Sequence, residues 1–325
     1  VTAVELTGVI NKMKEKVDRI RSEKQKMENL TKTSENYREN VQMIRSKAME
    51  ALVNCTTDVR KSLVRLEKMG IELSAVRYRV AVFDIDIYSG MYEVDLEKQQ
   101  ESALMAFVLY NISDEIVGRE GAGIAYQEGS NRVCILFQEK WSHNFTEKTK
   151  VICQEIQQKI YELMGIDVSM AIGSWVRKPE ELVTSHNEAV ETLQYRYLLG
   201  GRLLIDREEQ HFGQKADLEQ SLSQLKDAVK YGEKERIEKT FLTIEEKIKQ
   251  SLAEKSRACM YLQQVIRSVD SACEEVSADM NRIRAGREEL LRRITLQNSF
   301  QAACEIVKKH IENISEILDE QNTSS

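Results

Sequence analysis

A single proline, Pro179, in 325 residues sets the first limit on what this chain can fold into. Proline fixes φ and removes a backbone donor, so it breaks helices and avoids central strands. At an average usage of about 5% a chain of this length would carry roughly sixteen. Glycine is sparse too, and ten of its 14 copies fall between Gly70 and Gly201. The chain therefore reads as two helical flanks around one segment that contains turns. An apolar fraction of 42%, with 31% charged and 6% aromatic residues, excludes collagen-like and low-complexity chains and argues against a turn-rich β-sandwich.

The first flank carries heptad stripes. Leu6, Ile10, Met13, Val17 and Ile20 recur at 4-3-4-3 spacing, with Met27 continuing the seam, and charged residues fill the other faces. Such a seam predicts a homodimeric coiled coil, the alternative being helices that pack on the chain's own domain. A second stripe runs through Tyr37, Val41, Ile44, Ala48, Ala51 and Cys55, and a third through Val59, Leu63, Leu66 and Met69 up to Gly70. These two suit either pairing with a partner or packing on the chain's own domain.

At residue 77 the grammar changes. Arg77 to Asp86 alternates and is rich in β-branched and aromatic residues, as strands are. An amphipathic helix follows over 97–118, then strands at 123–126 and 133–137 flanking the turn-like Glu128-Gly-Ser-Asn131, a helix over 147–164 and a strand over 167–173. A helix runs from Pro179 to Leu199, stopped by Gly200-Gly201, and a short strand over 202–206 closes the series. The first six elements follow the ferredoxin-like order, expected as a sheet with helices on one face. No strand signal appears after residue 214, where helices are expected near 214–231, 233–252, 254–284 and 286–319. The fold class is thus α+β: N-terminal coiled-coil-like helices over 1–76, a ferredoxin-like α/β domain over 77–206 and an all-helical domain over 207–325.

Within the α/β segment, Phe83-Asp84-Ile85-Asp86, Ala171-Ile-Gly-Ser174 and the helix from Glu188-Ala189 through Tyr195 to Gly200 resemble the GGDEF domain of diguanylate cyclases. The signature hairpin of that family falls at Gly129, Ser130, Asn131, Arg132 and Val133, before the strand Cys134–Phe137. The resemblance implies a cyclase-like fold and an Mg²⁺ held partly by an Asp at the end of the first strand. It also implies that the chemistry is lost. Ser130 stands where the family has its second glycine, and Asn131 and Arg132 stand where it has two acids. Arg132 sets a cation where a metal ligand belongs, and Glu128 is expected one step out of alternation with it. The product-binding Arg and Asp three apart are missing as well, because Arg119 is followed by Ala122. Phosphoryl-type condensation needs clustered carboxylates around Mg²⁺. No enzymatic activity, no cofactor and no metal are therefore expected, with Asp84 and Asp86 as weak candidates for a cation.

A degenerate domain of this kind followed by a helical stretch resembles the central region of AraC-type response regulators of bacterial two-component systems. The similar residues are Lys68-Met-Gly70, Tyr78–Asp86, Ser174-Trp175, Glu181-Leu182, Tyr195-Arg196-Tyr197 and Ala228–Gly232, and residues 1–20 resemble the last helix of a receiver. The resemblance implies a cytoplasmic signal-transduction dimer acting in transcription regulation, cut from a longer protein. A sensor histidine kinase and promoter DNA would be met only through receiver and helix-turn-helix domains outside this chain. The alternative is a small-molecule or nucleotide sensor that keeps a ligand site on the degenerate fold. Signal, kinase, target genes and direction of regulation are not legible.

Charge and cysteine content agree with this reading. The net charge of −6 divides into +4 over 1–76, −7 over 77–206 and −3 over 207–325, so no basic stripe suits direct nucleic-acid binding. No apolar run approaches the ~20 residues of a membrane span, and no signal-peptide pattern opens the chain. The six cysteines (Cys55, Cys134, Cys153, Cys259, Cys273 and Cys304) form no CxxC pair and are expected as reduced, mostly buried thiols. His143, His186, His211 and His310 look isolated, with His186 expected as a partly exposed helix residue. Trp141 and Trp175 are expected in packing, and Tyr195-Arg196-Tyr197 either packs on the sheet or brackets a small ligand.

Overall fold

The strand Arg77–Ile85 (β1) is apolar on both sides from Val80 to Phe83, and such a strand has to lie inside a sheet covered on both faces. In the computed structural model, which describes residues 40–86, 96–129, 132–140, 145–209 and 212–324, it does. β1 pairs antiparallel with β3 (Arg132–Glu139) on one side and with β4 (Val168–Ile172) on the other. β2 (Gly123–Glu128) lies outside β3, and β5 (Leu204–Asp206) runs parallel to β4, giving the order β2-β3-β1-β4-β5. Helix α3 (Leu96–Arg119) connects β1 to β2, and α4 (Phe145–Met164) connects β3 to β4. This is the expected ferredoxin-like order with one strand added at the edge.

The expectation of helices on one face needs correction. Ala81, Phe83, Ile135 and Met170 face α3 and α4 through Leu109, Val117, Ile152 and Ile156. The opposite face is also covered. Val80, Val82, Leu136 and Ala171 meet Met49 and Leu52 from a helix over 40–53 (α1), Leu66 from α2 (Val59–Lys68), and Leu182 and Ala189 from α5 (Leu182–Leu193). The third heptad stripe thus packs within the chain, through Leu66 with Val59 and Leu63 beside it. The second is split: Val41 and Ile44 are exposed, Ala48 is buried, and the buried face continues through Met49, Leu52 and Val53. The first seam, Leu6, Ile10, Met13, Val17, Ile20 and Met27, lies outside the described residues, as do Ser130, Asn131, Trp141, His143 and His211.

Three expected long helices are broken; the one from Pro179 to Leu199 opens as a 3-10 turn and divides into α5 and a short helix over Arg196–Leu199. The one over 254–284 divides into α9 (Lys255–Glu275) and α10 (Met280–Arg284), because Ser277 takes φ +57° and the Ala278 N–H returns to the Cys273 carbonyl at 3.0 Å. That is a helix stop made without glycine, and Asp279 then caps α10. The one over 286–319 divides into α11 (Arg287–Leu296) and α12 (Phe300–Ser324), with Ser299 Oγ accepting from the Ala302 N–H at 3.2 Å. Together with α7 (Glu219–Lys230) and α8 (Lys234–Gln250) they enclose a separate core around Leu225, Ile244, Val265 and Val307. The four-residue α6 (Arg196–Leu199) joins the two bodies, since Tyr197 and Leu198 belong to the helical core. All six cysteines are free thiols; five are buried and Cys55 is exposed. No helix among the described residues is long and apolar enough to cross a membrane.

Candidate functional site: a cleft closed by its own ion pairs

The ends of three strands meet where the signature hairpin begins. Register puts Asp84 of β1 opposite Arg132 of β3, and Arg132 opposite Glu128 of β2. Cross-strand partners point to the same face. The three side chains therefore form one row, and Glu128 is not out of alternation as the sequence suggested. Arg132 lies between two acids. Its Nε donates to Asp84 Oδ1 at 2.9 Å, one terminal nitrogen reaches Asp84 Oδ2 at 3.3 Å, and the other reaches Glu128 at 3.4 Å.

Helices on the same face complete the group. Arg196 of α6 reaches Asp84 Oδ2 at 3.3 Å, so both oxygens of that carboxylate face guanidinium nitrogens. His186 of α5 sets Nε2 3.0 Å from Glu128 Oε1, and Asn54, just after α1, donates to the same oxygen at 2.9 Å. His186 is buried, not partly exposed as expected. The cause is Gly173: a Cβ there would lie 1.9 Å from the Ser185 carbonyl oxygen, so only glycine lets α5 seat this close to the sheet. Ser185 then accepts from the Val80 N–H at 2.9 Å, and the next residue, His186, reaches Glu128. Arg196, His186 and Asn54 were not singled out together by sequence, because they lie dozens of residues apart.

Asp84 and Asp86 do not act as a pair. Asp86 lies past the end of β1 and accepts from the Arg202 N–H at 2.6 Å, capping the turn after Gly200-Gly201. The Mg²⁺ implied by the resemblance does not fit: the hairpin position that should carry a carboxylate carries the guanidinium of Arg132, which already neutralises Asp84. Burial alone would raise the Glu128 pKa. Hydrogen bonds from His186 and Asn54, with the charge of Arg132, outweigh it and hold the carboxyl at about 2 against an ordinary 4.5. A carboxyl depressed in the folded state stabilises the fold at neutral pH and stops doing so as pH falls through its folded value. The chain should thus lose roughly 3 kcal/mol between about pH 5 and pH 2 through Glu128. Urea unfolding across that range should show a flatter acid limb for Glu128→Gln, and parallel limbs would remove Glu128 from the account.

The remaining candidates fall into packing. Tyr195 stacks on Phe212 at 4.5 Å, and Tyr197 joins the helical core, so the Tyr-Arg-Tyr run is divided between neighbours instead of bracketing one ligand. Trp175 donates to Thr146 at 3.1 Å and lies under the guanidinium of Arg77 at 4.2 Å. One buried pair was missed in the sequence. Arg79, wholly buried on β1, meets Asp206 of β5 at 2.7 Å and donates to the Gly173 carbonyl at 3.2 Å. The signal was present as an arginine inside an apolar strand.

No curated protein matches the chain. Residues 57–195, from two residues before α2 to the residue before α6, match the family described as a GGDEF-like domain.

Proposed function

We propose that this chain is a non-catalytic signal-relay and dimerisation region of a phosphorylation-controlled, AraC-type transcriptional regulator, whose receiver and helix-turn-helix domains lie outside it. The observation that carries the non-catalytic part is Arg132 set between Asp84 and Glu128. A cyclase needs that space for Mg²⁺ and a triphosphate, and here it holds an internal ion-pair network. Support for the relay part comes from α6, which ties Asp84 through Arg196 and holds the helical core through Tyr197. The seam from Leu6 to Met27 would pair two copies. Light scattering at tens of micromolar should give a dimer, and Val17→Asp should give a monomer. With GTP and Mg²⁺ no cyclic product should form. A monomeric parent chain, or turnover abolished by Asp84→Asn, would overturn the reading.

A groove beside the hairpin favours a second reading, that of a small-molecule sensor. It measures about 670 Å³ and is lined by Met43, Ser46, Leu104, Phe107, Gln127 and Gly129, among others. Calorimetric titration with GTP and cyclic dinucleotide separates the two: heat and a thermal shift favour the sensor, and neither is expected for the relay.

A further inference from the structure

Three metal-ligating side chains converge behind the arginine row. Glu128, Cys134 and His186 each offer one ligand atom, and these atoms all lie within 4.8 Å of one another. Measured to the same oxygen, Glu128 Oε2, His186 Nε2 lies at 3.2 Å and Cys134 Sγ at 3.8 Å. A tetrahedral ion with bonds of about 2.0 Å to nitrogen and oxygen and 2.3 Å to sulfur separates its ligands by roughly 3.3–3.6 Å. The two edges that meet at Glu128 are thus close to these lengths before any metal enters, and the third is no longer than 4.8 Å. We propose that Glu128, Cys134 and His186 form a binding site for a borderline transition-metal dication such as Zn²⁺.

The donor set is thiolate, imidazole and carboxylate, which suits Zn²⁺ and not Mg²⁺, so this site differs in chemistry from the one Arg132 closes, with which it shares Glu128. Charge also permits it. Binding releases one proton, from the Cys134 thiol to solvent, while the imidazole presents Nε2 as a lone pair with its proton on Nδ1. Two positive charges then meet one thiolate and one carboxylate, so the filled site is neutral, one unit more positive than the empty one. Tyr126 supplies a second observation. Its hydroxyl is wholly buried and lies against the Cys134 sulfur. A thiolate accepts more strongly than a thiol, so metal binding gives that hydroxyl a stronger acceptor. Glu128 on β2, Cys134 on β3 and His186 on α5 would then be held by one ion.

Cobalt(II) is the probe, because its thiolate complexes absorb in the near ultraviolet and its tetrahedral sites absorb strongly in the visible. The chelator-treated chain carrying Cys55→Ser, which removes the exposed thiol, should take up one Co²⁺ per chain with both signatures, and Zn²⁺ should displace it and raise the melting temperature. Cys134→Ser and His186→Gln should each abolish the charge-transfer band or the tight stoichiometry. X-ray absorption on the Zn-loaded Cys55→Ser chain should show one sulfur among nitrogen and oxygen ligands, a readout independent of how the site variants fold. A shell without sulfur, no saturable uptake, or a band that survives Cys134→Ser would overturn the assignment.

Discussion

Replacing Gly173 by alanine should cost the fold more than about 3 kcal/mol, the upper end for overpacking, although it adds a single methyl group. The methyl carbon would lie 1.9 Å from the Ser185 carbonyl oxygen and 2.7 Å from its carbon. Both are helix backbone atoms, so no rotamer change relieves the overlap. α5 has to lift from β4, which lengthens the Ser185 bond to Val80 and draws His186 away from Glu128. Gly118, near the end of α3, is the matched control. Nothing lies within 4 Å of a Cβ there, and Ala is favoured over Gly inside a helix by roughly 0.5–1 kcal/mol. Urea unfolding should therefore move in opposite directions for Gly173→Ala and Gly118→Ala, and the His186 imidazole resonance should shift only in the first. A Gly173→Ala chain within 1 kcal/mol of the parent, on the order of a tolerated core change, would mean that the helix seat is not what glycine secures.

Arg79→Met should be nearly as damaging, at about 3–5 kcal/mol, because it leaves the Asp206 carboxylate buried without its cation. Lys150 also feels the Asp206 charge, but Glu209 and Glu147 already engage it. The loss should come from the stranded charge more than from the missing contact. Arg79→Met combined with Asp206→Leu should accordingly recover most of the stability, as apolar replacements of whole buried pairs tend to do. A double-mutant cycle measured by chemical denaturation decides it. Additive losses would show that the two side chains act separately despite their 2.7 Å approach.

These two sites mark where sequence reading stops. Strand order was legible because Arg77 to Asp86, the turn at Gly129 and the run Cys134–Phe137 carry period-two patterns and turn residues that act locally. Arg132 was legible as a misplaced cation because its neighbours in the hairpin fix its position. The second covered face was not legible. The heptad through Val41, Ile44 and Ala48 competes with a core face through Met49, Leu52 and Val53 offset by one residue, and periodicity alone does not choose between them. Nor was the stop at Ser277, since a non-glycine residue at φ +57° leaves no mark in composition. His186, Asn54 and Arg196 reach the cleft only after α1 and α5 close on the sheet, and Arg79 finds Asp206 only across β4.

The four residues of α6 have one more consequence. Arg196 is held by Asp84 in the cleft, and the next residue, Tyr197, is held by the helical core, with no spacer between them. Free energy exchanged between two binding events through a shared rigid element is the same in both directions. A ligand or ion that strengthens the grip on Arg196 must therefore be favoured, by an equal amount, by any partner of the helical body that prefers the same seat of Tyr197. Titrating either end reports on the other.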